Sequence, residues 1–371
     1  MHLDGRHHRT GEAVRVSAAG GVVTAVESIP DLPGLPTLAP GFFDPQINGA
    51  LGVNFNDPKL TEDGVRAVVA ACRAHGVAAF APTLVTGPFA ALAHGFRTLA
   101  GLVDLVDAMP VYHLEGPYLS PEDGPRGAHP REHVRPPDAA EFDRWQDAAQ
   151  GRIRLVTLAP EVLGALPFIE KLVKEGVVVA IGHTAATAAQ IADAASAGAT
   201  VSTHLGNGLA ATIDRHANPL WPQLADNRLT AGVIADGDHL PATVFECIRR
   251  VKGIARLFVT CDASPLAGLP AGRYDLWGSM FEVTPTGRVV VPGTPYLAGS
   301  GHFTDHCFAT LVNRLNVTVA DALTLTTVTA RKLLRLPVPT LDAGQPAALL
   351  AIDDTPAGVR ARPATDARGQ K

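Results

Sequence analysis

Residues 176–209, GVVVAIGHTAATAAQIADAASAGATVSTHLGNGL, decide how the rest of the chain is read. Residues 177–181 are an apolar run of strand length, closed by Gly182 and His183. Residues 187–197 space alanines and Ile191 as a helix does, and Gly198 stops it. Residues 199–203 make a second, shorter strand, closed by His204. Strand, helix and strand within about 30 residues form a parallel crossover. Both strands then point the same way. Both histidines arrive at one end of the sheet, where α/β folds place their ligands.

The same rhythm runs outward from this unit. Strands are expected at 38–44, 76–86, 109–116, 153–160, 176–183, 199–204, 229–236 and 256–262, with helices at 61–74, 89–107, 138–149, 161–174, 187–197 and 240–252. Eight strands alternating with helices predict a (β/α)8 TIM-like barrel. No glycine-rich phosphate loop favours a dinucleotide fold instead. Residues 264–298 break the pattern with glycines and short alternating runs, read as a β insertion after the eighth strand. Two helices follow, near 303–315 and 319–334. Residues 13–26 alternate around Gly20 and Gly21 as a hairpin does, and 347–352 read as a strand after the turn at 341–345. A small β-sandwich domain built from both chain ends, 1–37 with 336–371, is therefore expected beside a barrel over 38–335. The polar stretch 361–371 reads as a frayed tail.

Bulk properties narrow the function. The chain has 371 residues, 46% hydrophobic and 18% charged, with a formal charge of −5. That is a globular composition, and its acidic balance argues against a nucleic-acid or anionic-membrane partner. No apolar run approaches the ~18 residues of a membrane span, and no leader-like start is read. Cys72, Cys247, Cys261 and Cys307 lack CxxC spacing and read as reduced thiols, so a cytoplasmic location is expected.

Polar residues gather at the strand ends: Asp44, Gln46 and Asn48 on the first, Glu115 on the third, His183 on the fifth, His204 on the sixth. Asp236 and His239 follow the seventh and Asp262 the eighth. Two imidazoles and a carboxylate suit Zn²⁺ or Fe²⁺ with a position left open for water. Each residue alone would read as a hydrogen-bonded strand end; three at matching ends favour one divalent ion held by Glu115, His183 and His204. Asp262 is placed to take a proton from water and pass it to a leaving group, or else to form the turn before Ser264 and Pro265. His129, in a Gly/Pro-rich loop, is a candidate to polarise a carbonyl. His302 and His306 share a helix face.

These residues also carry a resemblance. LAPGFFDPQINGALGVNFND (38–57), PTLVTGP (82–88), HLEGPYLSPEDGPRGAH (113–129), VTLAPE (156–161), IGHTAAT (181–187), STHLGNG (202–208), IADGDH (234–239), VTCDAS (259–264) and LDAGQPAALLAID (341–353) resemble N-acetylglucosamine-6-phosphate deacetylases of the amidohydrolase superfamily. The resemblance implies a single-metal deacetylase with ligands Glu115, His183 and His204, catalytic Asp262 and carbonyl-contacting His129. It implies substrate contacts at Ala128, Asn207, Gly208 and the turn from Asp236 to His239, and a homodimer. Gln46-Ile47-Asn48 stands where two-metal relatives carry His-x-His, and amides are poor zinc ligands, so one ion is expected. Three departures from the family pattern are local. Gly206 to Leu209 replace Tyr-Asn-Ala-Met. Arg215 stands near the phosphate arginine's place. His302 lies where the family shapes its acetyl pocket. The implied reaction is hydrolysis of the acetamide of N-acetylglucosamine 6-phosphate. The alternatives are N-acetylgalactosamine 6-phosphate, an unphosphorylated N-acyl sugar, or a catalytically silent sugar-binding barrel.

Overall fold

The structure is a computed structural model, and it describes residues 1–276, 279–294 and 296–364. Its centre is an eight-stranded parallel sheet: β1 (Phe42–Ile47), β2 (Val77–Val85), β3 (Tyr112–Glu115), β4 (Ile153–Leu158), β5 (Val178–Ile181), β6 (Val201–Ser202), β7 (Thr230–Ile234) and β8 (Leu257–Thr260). Each strand pairs with the next in chain order. A parallel bridge between Ile47 and Ala263 joins the two outer strands, so the sheet rolls into a barrel.

The packing explains why such short apolar runs become strands. On β2, Phe80 and Leu84 face the surrounding helices, while Ala79 and Ala81 face inward with Phe43, Val111, Leu155, Ala180, Val201 and Phe258. This alternation is the two-residue period of a strand. Ala330 and Leu334, at the end of the chain's last helical segment, fill the barrel floor. The ligand-bearing end is left at the opposite mouth. Helices between strands start where side chains cap them. Thr61 accepts from Gly64 N ahead of Glu62–Ala74, Asp138 accepts from Ala140 N and Glu141 N ahead of Ala139–Ala148, and Thr187 with Gln190 forms a capping box before Ala188–Ser196.

Several boundaries differ from the sequence reading. The single strand expected over 38–44 is two, Thr37–Pro40 and β1, divided at Gly41. A Cβ on Gly41 would lie 2.6 Å from Ala78 Cβ and 2.9 Å from Ala348 O, so only glycine lets the chain pass there. Thr37–Pro40 belongs to a six-stranded sheet with His2–His7, Ala13–Ala19, Val22–Ser28, Leu349–Thr355 and Gly358–Pro363. The sequence reading passed over two of these strands: His2–His7, which lacks apolar alternation, and Gly358–Pro363, where Val359 and Ala361 alternate with Arg360 and Arg362 inside a stretch read as polar. The expected frayed tail is thus partly strand; 365–371 lie outside the described residues. The insertion is a three-stranded antiparallel sheet, Gly272–Leu276, Ser279–Val283 and Val289–Val290. A short helix, Leu220–Ala225, was also not anticipated. The last helical segment contains a π-helical turn at Thr324–Val328. No helix among the described residues is long and apolar enough to cross a membrane.

Candidate metal centre

Glu115 ends β3, and His183 and His204 each lie two residues beyond β5 and β6. All three are buried, and their donor atoms converge. His183 Nε2 is 3.2 Å from Glu115 Oε1, His204 Nε2 is 3.1 Å from the same oxygen, and the two Nε2 atoms are 3.1 Å apart. A near-equilateral triangle of this size fits one face of a tetrahedron around an ion with bonds of ~2.0–2.1 Å, whose edges would be about 3.3 Å. His183 Nδ1 donates to Pro125 O at 2.9 Å, which leaves its Nε2 lone pair for the centre. Burial pushes the Glu115 carboxyl up, but its close contacts with the His183 and His204 rings outweigh it and hold it well below the ordinary range. Burial lowers His204, and its bond to Glu115 more than reverses that. The donor set suits a divalent ion such as zinc or iron.

The backbone at these positions is unusual. His183, His204 and Asp262 have φ of 50°, 28° and 52°, a region L residues seldom occupy. Each turns its side chain back over the barrel mouth. Gly127 and Gly208 clasp the His183 ring, since a Cβ on them would lie 3.2 Å from Cε1 and 3.0 Å from Nδ1 respectively.

Asp262 is buried beside the triangle. Its Oδ1 accepts from Gln46 Nε2 at 2.9 Å and Asn48 Nδ2 at 2.8 Å. Gln46 Nε2 also donates to Glu115 Oε2 at 3.0 Å. Both amides of the first strand are thus hydrogen-bond donors to the carboxylates. Oδ2 of Asp262 has no hydrogen bond among the described residues. Burial, and then the charge of Glu115, raise the Asp262 carboxyl to about 7. His129 lies at the rim of the triangle, its Nε2 3.3 Å from His183 Nε2 and its Nδ1 2.9 Å from Thr86 Oγ1. Burial, and then the charge of His183, lower it to about 3, so the ring is neutral.

The chain is 35% identical over 344 residues to the N-acetylglucosamine-6-phosphate deacetylase of Homo sapiens, an alignment covering 86% of this chain and 80% of that protein. It is 32% identical over 345 residues to the N-acetylgalactosamine-6-phosphate deacetylase of Escherichia coli O157:H7, covering 90% and 89%. The crystal structure of N-acetyl-D-glucosamine-6-phosphate deacetylase from Mycobacterium smegmatis superposes with a TM-score of 0.85 at 33% identity, covering 95% of this chain and 96% of that one. This chain belongs to the N-acetylglucosamine-6-phosphate deacetylase family. No family model matches it.

In this family member the centre opens into a cavity of about 900 Å³ at the barrel mouth. That is ample for a phosphorylated amino sugar. Its wall includes Glu115, His129, His183, His204 and Asp262, together with Ala128, Asn207, Gly208 and His239. Asn207 Nδ2 is buried there without a hydrogen-bond partner among the described residues. Three other residues expected at the substrate lie off the wall. Asp236 sits behind it, one oxygen bonded to His239 Nδ1 at 2.7 Å and Ser300 Oγ at 3.0 Å, the other to the backbone of Asp238 and His239. It fixes the turn and aims His239. His302 stacks on His306 with ring centroids 3.8 Å apart. Arg215 is exposed on the segment following His204. Sequence reasoning passed over Arg126, Arg288 and Tyr296 on the wall. The last two come from the insertion, where only the fold reveals that the hairpin leans over the barrel.

Proposed function

We propose that this protein hydrolyses the acetamide of N-acetylglucosamine 6-phosphate to glucosamine 6-phosphate and acetate, using one divalent ion held by Glu115, His183 and His204. The observation that carries this reading is the convergence of three donor atoms at 3.1–3.2 Å beside a buried aspartate with one open oxygen. Family membership supports the acetamide as the bond cleaved. When bound, such an ion supplies Lewis acidity and acidifies water. Asp262 Oδ2 takes the proton of the water that attacks the acetyl carbon. The C–N bond then breaks, and Asp262 returns that proton to the amine as acetate departs. Gln46 and Asn48 keep Oδ1 occupied, so the proton moves through Oδ2. With the Thr86 hydroxyl donating to Nδ1, His129 carries its ring proton on Nε2 and presents it to the carbonyl oxygen. Asn207 and His239 are assigned to the sugar and its phosphate, and the backbone at Ala128 and Gly208 to close approach by the substrate. Asp236 acts through His239, and His302 backs the turn behind it.

Zinc or iron is the ion, the location is cytoplasmic, and the molecule is a homodimer in this reading. The dimer is supported by the exposed 211–217 segment and the half-exposed Trp221, and it would let Arg215 reach a neighbour's phosphate. Residues 1–37 with 336–371 are taken as a small β domain and 38–335 as the hydrolase barrel. A second reading, N-acetylgalactosamine 6-phosphate as the sugar, is favoured by the similarity to the Escherichia coli O157:H7 relative over 90% of the chain.

The test is acetate release from both phosphorylated sugars and from N-acetylglucosamine, with and without a chelator. Release from N-acetylglucosamine 6-phosphate that chelation abolishes and Zn²⁺ or Fe²⁺ restores is expected. Release from neither phosphorylated sugar would overturn the reading.

A further inference from the structure

Two guanidinium groups line the cavity, and they differ in what already holds them. Arg126 is mostly buried; it donates to His129 O at 2.7 Å and pairs with Asp123, so it braces the loop that carries His129. Arg288 is different. It follows the tight turn of the insertion hairpin, where Thr284 N donates to Arg288 O at 2.9 Å and Arg288 N to Thr284 Oγ1 at 3.1 Å. This turn is pressed against the barrel, since a Cβ on Gly301 would lie 1.9 Å from Gly287 O. The residue before Gly301, Ser300, donates its N–H to Asp262 O at 2.8 Å. The hairpin is therefore tied to the strand end that bears the proton-transferring aspartate. The Arg288 side chain is 42% exposed, and its ion partner, Asp238, sits at 3.3 Å without a hydrogen bond.

We propose that Arg288 is the guanidinium of this chain that, beside His239, binds the substrate's phosphate and so selects a phosphorylated sugar. The proposal rests on the reading given under Proposed function. A phosphate carries close to two negative charges near pH 7 and needs a cation when it leaves water. The wall offers it Glu115, Asp123, Asp238 and Asp262, all of the wrong sign, and both terminal nitrogens of Arg126 are already engaged by His129 O and Asp123. A guanidinium presents a fork matched to two phosphate oxygens. Asp238 holds this fork near His239, also on the wall, until a stronger acceptor arrives.

The test compares Arg288→Ala, Arg288→Lys and Arg215→Ala with the parent protein on N-acetylglucosamine 6-phosphate and on N-acetylglucosamine. Loss of a charge-assisted hydrogen bond should raise KM for the phosphorylated sugar about 10–100-fold in Arg288→Ala. The ratio of kcat/KM for phosphorylated over plain sugar should fall by a similar factor, with Arg288→Lys between the two. Inhibition by inorganic phosphate should weaken in parallel. An unchanged ratio in Arg288→Ala, or a fall confined to Arg215→Ala, overturns the proposal. If the parent releases no acetate from either sugar, the reaction assignment fails instead, and calorimetric binding of glucosamine 6-phosphate to the same variants still decides the role of Arg288.

Discussion

The Gln46 amide nitrogen lies 2.9 Å from Asp262 Oδ1 and, with Asn48, occupies that oxygen from across the seam where the first and last strands close the barrel. The same nitrogen reaches Glu115 Oε2 at 3.0 Å. One side chain of the first strand thereby fixes the separation between the Glu115 and Asp262 carboxyls. Gln46→Leu removes both bonds while keeping the volume roughly constant. We expect kcat to fall ~10–100-fold with little change in KM, because Gln46 orients the Asp262 carboxyl without touching the sugar. Steady-state kinetics with bound metal quantified in parallel would check this; unchanged kcat would count against the positioning role.

Asp262 gives a prediction in both activity and stability. Burial and Glu115 raise its carboxyl to about 7, above the unfolded value near 4. Between those values the folded state holds a proton that the unfolded state has released, so the group's contribution to stability falls as pH rises through that window. Asp262→Asn keeps an oxygen for the two amides and removes the charge. Chelator-treated Asp262→Asn should melt ~2–4 °C above the parent at pH 8 and level with it at pH 4. Its turnover should drop by about three orders of magnitude or more. In the metal-loaded parent a nearby cation favours the carboxylate, so the acid limb of kcat/KM should lie below pH 7.

Gly208→Ala tests the clasp around His183. At φ of 61° an added Cβ would lie 3.0 Å from His183 Nδ1, the atom bonded to Pro125 O. The ring must shift or that bond must lengthen. Metal affinity should weaken ~10–100-fold, measured by competition with a chromogenic chelator, alongside a modest stability loss of ~1 kcal/mol.

Lys252 tests the fold away from the site. It is buried, and its Nζ donates to Gln223 O at 2.7 Å, Asp226 O at 2.8 Å and Leu229 O at 2.9 Å, closing the turn that leads into β7. Burial lowers its ammonium to about 8. Lys252→Met removes all three hydrogen bonds at once and should cost ~2–4 kcal/mol in denaturant unfolding, with the substrate KM little changed.

The barrel was legible because its strands are buried on both faces and therefore read as continuous apolar runs, each ended by glycine or a polar residue. The convergence of Glu115, His183 and His204 was legible for the same reason: they stand at or just beyond the ends of strands that must be parallel. His2–His7 was not legible because it carries a single large apolar residue, Leu3, and nothing local shows that both chain ends join one sheet, where Thr37–Pro40 pairs with Leu349–Thr355 more than 300 residues away. Nor could sequence tell that Asp236 faces inward to His239 while Arg288 faces the cavity, since a turn's side chains point where its backbone is folded.

What the sequence by itself determined was the order of strands and helices, and hence which residues reach the barrel mouth; periodicity and strand direction fix that. Only the tertiary structure decided how those residues act together. The left-handed backbone at His183, His204 and Asp262, the amides that take Asp262 Oδ1, and the hairpin that brings Arg288 overhead all depend on contacts between distant segments. Such contacts exist only once the barrel has closed.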